Sequence, residues 1–272
     1  MKFCLSVVVN HKYEKYIPYF IWSSLRSYPE CNVKIFFIGN ISPKTKTLTS
    51  ALKEMGDFEI IENFFDDLPR SNQELKTFRW LIPSKYFLKD EYVYVGDVDL
   101  LICKENPTLL NQHISHCTNN ALPYSNCIRP NAKRMSGLHF FKAKEYFEEM
   151  DEIISLYSIK LKNRKLGLQK NKVRNEEILY KMILDSKMGF PEEKERIDIS
   201  GSGPHHGLHL GIWRGGSSIS APIANQIFRD SYLQHYQFFS KISKDKIFSV
   251  IDKSINLKEI QNMKIYFSKI KS

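Results

Sequence analysis

The chain has no stretch able to cross a membrane. Its apolar runs, such as Val7–Val9 and Ile35–Ile38, stop far short of the roughly 20 residues a span needs. Met1–Val9 runs into polar Asn10–Lys15 with no small-residue cleavage site, so a soluble, unprocessed protein is expected. Cysteine is sparse: Cys4, Cys31, Cys103, Cys117 and Cys127 form no C-x-x-C pair and have no partner at zinc spacing. They read as reduced, buried thiols, which fits a cytoplasmic location. Glycine is also scarce, and Val9-Asn10-His11-Lys12-Tyr13 after the first apolar run contains none. A metal-dependent nucleotidyl- or phosphotransferase, the competing enzyme class, is expected to carry a glycine-rich phosphate loop there. Acidic residues number 30 against 40 Lys and Arg, leaving a formal charge of +10 that favours a polyanionic partner. Nucleic acid is not the expected one: Lys160–Lys172 is basic but has no aromatic, and the other lysines are dispersed.

What is present is a repeated β-α alternation. Lys2–Val9 reads as a strand, Tyr16–Ser27 as a helix, Asn32–Gly39 as a strand and Ser42–Met55 as a helix. Phe58–Glu62 reads as a strand, Ser71–Ile82 as a helix stopped by Pro83, and Glu91–Ile102 as one strand. Pro107–Cys117 follows as a helix, Met135–Lys142 as a short strand, Lys144–Tyr157 as a helix, Lys160–Arg174 as an exposed loop and Asn175–Met188 as a helix. The expectation is an α/β fold with a mostly parallel central sheet flanked by helices, in a single Rossmann-type domain over residues 1–220. Ser200–Ser220 holds six of the twelve glycines, three histidines and a Trp-Arg pair, which marks a binding segment rather than a linker. Residues 221–272 form a helical, basic C-terminal extension, packed on the domain or on an anionic membrane surface.

The sharpest motif is Tyr92-Val93-Tyr94-Val95-Gly96-Asp97-Val98-Asp99-Leu100-Leu101-Ile102. Two carboxylates at i and i+2 interrupt a buried strand and need a counter-charge. In an extended backbone they point the same way, so Asp97 and Asp99 are expected to converge on one divalent cation at the carboxyl end of the strand.

In this motif and its flanks the sequence resembles nucleotide-sugar glycosyltransferases of the GT-A fold, whose D-x-D segment holds a metal against the donor diphosphate. Tyr16-Ile17-Pro18-Tyr19 is similar to the first helix of glycogenin-like enzymes and bacterial lipopolysaccharide galactosyltransferases, which implies that Tyr16 meets the donor base. Lys76–Pro83 resembles their basic helix before the metal strand and puts Arg79 near the donor. Met135-Ser136-Gly137-Leu138 resembles their small-residue strand beside the donor sugar, which implicates Ser136 and Gly137. Val173–Tyr180 resembles the acidic helix start of the blood-group A/B transferase relatives; aligned on Leu179, Glu176 takes the place of their Glu under the anomeric carbon. His205–Trp213 is similar to the segment that supplies a metal-binding His in glycogenin-like enzymes, and either His206 or His209 can take that part.

The resemblance implies a hexose transferred from a nucleotide-diphosphate sugar, UDP-linked, to a glycan or lipid-linked glycan acceptor in lipopolysaccharide or capsule synthesis. Departure of the nucleoside diphosphate concentrates negative charge that a metal neutralises. Asp97, Asp99 and a histidine mix oxygen and imidazole ligands, which favours Mn²⁺ over Mg²⁺. Arg79 and Arg214 offer charge-assisted hydrogen bonds to phosphate, and Trp213 offers a sugar platform. Glu176 and Glu177 lie about 100° apart on a helix start, so one of them faces the cleft. That carboxylate either deprotonates the acceptor with inversion or shields the anomeric carbon with retention, and retention is the expectation.

Overall fold

The computed structural model describes residues 2–65, 71–129, 132–168, 173–192, 206–215 and 230–270. Strand β1 (Phe3–Asn10) pairs in parallel with β2 (Asn32–Ile38) on one side and β4 (Tyr92–Gly96) on the other, and β3 (Phe58–Ile61) extends the sheet beyond β2. Antiparallel β7 (His139–Lys142) and the edge strand β6 (Tyr124–Ser125) complete the order β3-β2-β1-β4-β7-β6. This is the mostly parallel sheet that the β-α alternation predicts. Both faces are covered: Leu5, Val7, Val9, Val33, Ile35 and Phe37 point into one apolar cluster, Cys4, Phe36, Ile38, Val93 and Val95 into another. The period of two along each strand divides them.

Helix α1 (Ile17–Ser27) opens with Pro18 in its first turn and buries Tyr19, Phe20 and Trp22. Pro43–Ser50 forms α2, and Asn72–Thr77 forms α3, which begins in a capping box. There Glu74 N donates to Ser71 Oγ at 3.2 Å and Ser71 N donates to Glu74 Oε2 at 2.6 Å. Instead of continuing to Ile82, the chain tightens into a 3₁₀ turn at Phe78–Trp80 that delivers Arg79 to the sheet. Helix α4 (Leu109–Asn119) precedes β6, and α5 (Ala143–Lys162) follows β7, running five residues past the expected end at Tyr157. Helix α6 (Asn175–Ser186) packs on α3 and α5. Part of the expected loop Lys160–Arg174 is therefore helical, and its residues 169–172 lie outside the described ones.

The segment Glu91–Ile102 is not one strand. β4 ends at Gly96, Asp97–Asp99 turn, and β5 (Leu100–Ile102) leaves the sheet to pair antiparallel with β8 (Gly207–His209). Of the expected Ser200–Ser220 segment, only residues 206–215 are described, as β8 and a 3₁₀ turn over Leu210–Gly215.

Three helices close the described chain: α7 (Asp230–Ile242), α8 (Lys246–Ile255) and α9 (Lys258–Ile270). Phe248 packs against Tyr19 and Trp22 of α1, with ring centroids 6.0 and 4.7 Å apart. Ile251, Ile260 and Phe267 are likewise buried against the body of the protein, whereas Val250 and Ile265 of the same helices are exposed. Among the described residues no helix is long and apolar enough to cross a membrane. All five cysteines are free and buried.

Candidate active site

The carboxyl ends of β1, β2 and β4 open into a cleft of about 550 Å³. Its floor includes Val9, Asn10, Ile38 and Gly96–Asp99, and its rim includes Lys12, Tyr13, Lys76, Arg79, His209 and Arg214. Four of these rim residues are fixed cations, which suits a polyanion.

Asp97 and Asp99 both face this cleft, but through a turn, and they have different partners. Arg79 Nη1 donates to Asp97 Oδ1 at 2.7 Å; the arginine is buried, whereas the carboxylate is 46% exposed to the cleft. Asp99 is buried. Arg214 Nη2 donates to its Oδ2, and His209 Nε2 lies 3.5 Å from the same oxygen. The extended backbone expected to align the i and i+2 side chains is thus absent, because the strand ends at Gly96, and the two carboxylates share the cleft but not their partners. Two like charges near the sheet are instead neutralised one arginine each.

Burial pushes the Asp99 carboxyl up, but the hydrogen bond and charge of His209, with the charge of Arg214, outweigh it and hold it below the ordinary value. Burial pulls His209 down, and the bond to Asp99 with the charges of Asp99 and Asp97 reverses this and raises it. Two glycines make the approach possible. A Cβ on Gly207 would lie 2.0 Å from the Leu101 carbonyl oxygen, so only glycine lets β8 close on β5. A Cβ on Gly211 would lie 2.9 Å from His209 Nε2 and 3.2 Å from Asp99 Oδ2.

His206 and His209 separate cleanly. His206 is fully buried, with Nε2 2.8 Å from His113 Nε2 and Nδ1 2.7 Å from Glu105 Oε2. Its carbonyl accepts from Cys103 N, beyond the far end of β5 from Asp99. Expected as an alternative metal ligand, it is held by His113 and Glu105, and of the two it is His209 that reaches Asp99. His139, by contrast with a ligand, is a core residue: Asn126 Nδ2 donates to its Nδ1 at 3.0 Å.

Trp213 does not line the cleft. It is fully buried against Tyr266 and Phe267, and its carbonyl accepts from Asn262 Nδ2 at 2.8 Å, so it fastens the glycine-rich segment to α9. Tyr16 is buried as well, with its hydroxyl donating to Glu259 Oε1 at 2.5 Å, whereas Tyr13 is the aromatic on the cleft rim. Both corrections have one cause. The C-terminal helices cover the faces on which Tyr16 and Trp213 would otherwise stand open.

Ser136 and Gly137 lie behind Arg79: Ser136 N donates to Asn126 Oδ1 at 2.9 Å, and a Cβ on Gly137 would sit 3.4 Å from Arg79 Nη2. Glu176 and Glu177 are half-buried at the start of α6 and do not line the cleft. Their neighbour Asn175 reaches it indirectly, since its Oδ1 accepts from Arg79 Nη2 at 3.0 Å and its Nδ2 donates to Glu176 Oε2 at 3.0 Å. In the sequence Asn175 is marked only as an amide beside two acids at a helix start. Lys12, Tyr13 and Lys76 were also missed as site residues, because the ends of β1 and α3 meet only in the fold.

Two carboxylates and an imidazole form a donor set that suits Mn²⁺. Among the described residues no three such side chains converge on one point; Arg79 and Arg214 supply positive charge there instead. The donor types of Asp97, Asp99 and His209 suit a divalent cation, while in this arrangement each carboxylate is paired with an arginine.

No family model and no curated protein matches the chain. Among solved structures it is similar to the galactosyltransferase LgtC in complex with donor and acceptor sugar analogs, at 14% identity and a TM-score of 0.45, over 68% of this chain and 70% of that one. It is also similar to the apo form of the glycosyltransferase GlyE of Streptococcus pneumoniae TIGR4, at 16% identity and a TM-score of 0.48, over 99% of this chain and 64% of that one. S. aureus TarS in complex with UDP-GlcNAc aligns over 53% of this chain and 46% of its own, at 13% identity and a TM-score of 0.36.

Proposed function

We propose that this protein is a metal-dependent glycosyltransferase that moves a hexose from a UDP-sugar to a glycan or lipid-linked glycan acceptor, in bacterial-type lipopolysaccharide or capsule synthesis. One observation carries the reading: at the carboxyl ends of parallel strands, Asp97, Asp99 and His209 share a cleft with Lys12, Lys76, Arg79 and Arg214. Carboxylates for a cation and cations for an anion, side by side, suit a metal diphosphate.

Asp97, Asp99 and His209 would hold Mn²⁺ or Mg²⁺, which when bound supplies charge against the departing diphosphate. Lys12, Lys76 and Arg214 hydrogen-bond phosphate oxygens. Arg79 acts from behind, keeping Asp97 turned toward the cleft. Tyr13 offers its ring to the base. An inverting transfer needs a general base; Asp97 and Asp99 are the only carboxylates among the described lining residues, and both are held by arginine, which supports retention. Work on lipid-linked acceptors is consistent with a cytoplasmic protein whose C-terminal lysines meet the inner membrane face.

Thermal unfolding with a panel of nucleoside diphosphates and their sugars, with and without Mn²⁺, tests the reading on wild type and Asp99→Ala. A rise in melting temperature with UDP that requires Mn²⁺ and disappears in the variant is expected. No rise with any nucleotide, or one indifferent to metal and to Asp99, overturns it.

A further inference from the structure

Arg214 stands between two carboxylates from opposite sides of the fold. In front is Asp99, which accepts from its Nη2; behind is Glu259, in the first turn of α9, whose Oε1 lies 3.9 Å from Arg214 Nε. Glu259 is 4% exposed. Its Oε1 also takes the Tyr16 hydroxyl at 2.5 Å and Lys15 Nζ at 3.3 Å, while its Oε2 is buried with no hydrogen-bond partner among the described residues. Replacing such an arrangement with apolar side chains commonly costs nothing in stability, so a half-satisfied buried carboxylate is poorly explained as a fold stabiliser. The rings of Tyr13 and Tyr16 flank the same guanidinium, 5.4 and 5.8 Å from its central carbon.

Resting on the transferase reading above, we propose that Glu259 is a positioning residue of the donor site: it anchors Arg214 over the cleft once another cation takes Asp99. A metal on Asp99 would compete with Arg214 for that carboxylate. Without a second anion the guanidinium, 43% exposed, would then swing into solvent. With Glu259 behind it, and a free carboxylate oxygen to receive it, Arg214 keeps its charge at the diphosphate. The C-terminal helices thereby become part of the donor site although none of their described residues lines it.

The test is a double-mutant cycle on UDP affinity, measured by calorimetry in Mn²⁺ with the full chain, using Glu259→Gln, Arg214→Ala and the double variant. Tyr16→Phe, alone and with Arg214→Ala, removes the bond that fixes Glu259 and serves as a second route should Glu259→Gln not fold. Glu259→Gln is expected to weaken UDP binding about tenfold and to have no further effect when Arg214 is already alanine. A loss arising from general disruption would persist in the Arg214→Ala background. Equal losses in both backgrounds, or none in either, overturn the inference alone. Failure of wild type to bind UDP overturns the transferase reading and this inference with it.

Discussion

Arg79 and Asp97 are joined by a 2.7 Å hydrogen bond in which the buried partner is the cation and the exposed one the anion. The same guanidinium donates to Asn175 at 3.0 Å and lies over the Trp80 ring at 4.5 Å. A single planar fork thus ties the end of β4 to the start of α6, and Gly137 leaves it the room.

Arg79→Lys should therefore not be conservative. A lysine keeps the charge but cannot span Asp97 and Asn175 together, and a loss of about 2 kcal/mol is expected in urea unfolding. Metal-dependent UDP binding should fall with it.

Gly211→Ala separates the site from the fold. The added methyl crowds His209 Nε2 and Asp99 Oδ2 from a partly buried 3₁₀ turn, so His209 must move. The Mn²⁺ dependence of UDP binding should weaken at least about tenfold, as when a ligand is misoriented, with little change in melting temperature.

Tyr13 and Tyr16 are expected to behave differently although they are three residues apart. Tyr13→Ala should raise the donor KM about tenfold, the scale of one lost base–aromatic stack. Binding of free phosphate should be unaffected. Equal effects on both ligands would remove Tyr13 from the base.

Truncating Trp213, buried against Tyr266 and Phe267, should cost about 3–5 kcal/mol in chemical denaturation. Limited proteolysis should then cut first within α9, which that ring fastens. A substrate-platform role would instead leave stability unchanged and raise the acceptor KM.

Stability should fall on the acid side of about pH 6.5. Burial pushes His139 down to about 3, and burial together with neighbouring His206 pushes His113 well below its ordinary value. Both are neutral in the folded protein and charged in the unfolded chain at low pH. A depressed folded value means that the contribution is complete above the unfolded value and is lost as pH falls toward the folded one, by at most about 1.4 kcal/mol per pH unit for each group. Urea midpoints between pH 8 and 5 measure this, and His139→Phe should flatten the slope.

The sheet was legible in the linear sequence because strand and helix periods are local properties. Lys2–Val9, Asn32–Gly39 and Phe58–Glu62 lie within two residues of β1, β2 and β3. Asp97 and Asp99 stood out for a similar reason: two charges in an apolar run demand a partner wherever the chain goes. The partner itself was not local. Arg79 lies 18 residues away from Asp97 and Arg214 lies 115 away from Asp99. The break of the strand at Gly96, which gives each aspartate its own arginine, was hidden because Leu100–Ile102 is as apolar as Val93–Val95.

Tertiary structure alone decided which of several similar side chains reach the cleft. Tyr13 and Tyr16, or His206 and His209, have equivalent chemistry and near-identical surroundings in sequence. Their fates diverge because α9 closes over Tyr16 and Trp213, and because the pairing of β8 with β5 sets His209 opposite Leu100 while His206 falls beyond Ile102 into a buried bond with His113. Residue types and local periodicity determined the sheet and the need for a charged site. Contacts between distant segments, whose register no local pattern encodes, determined who occupies it.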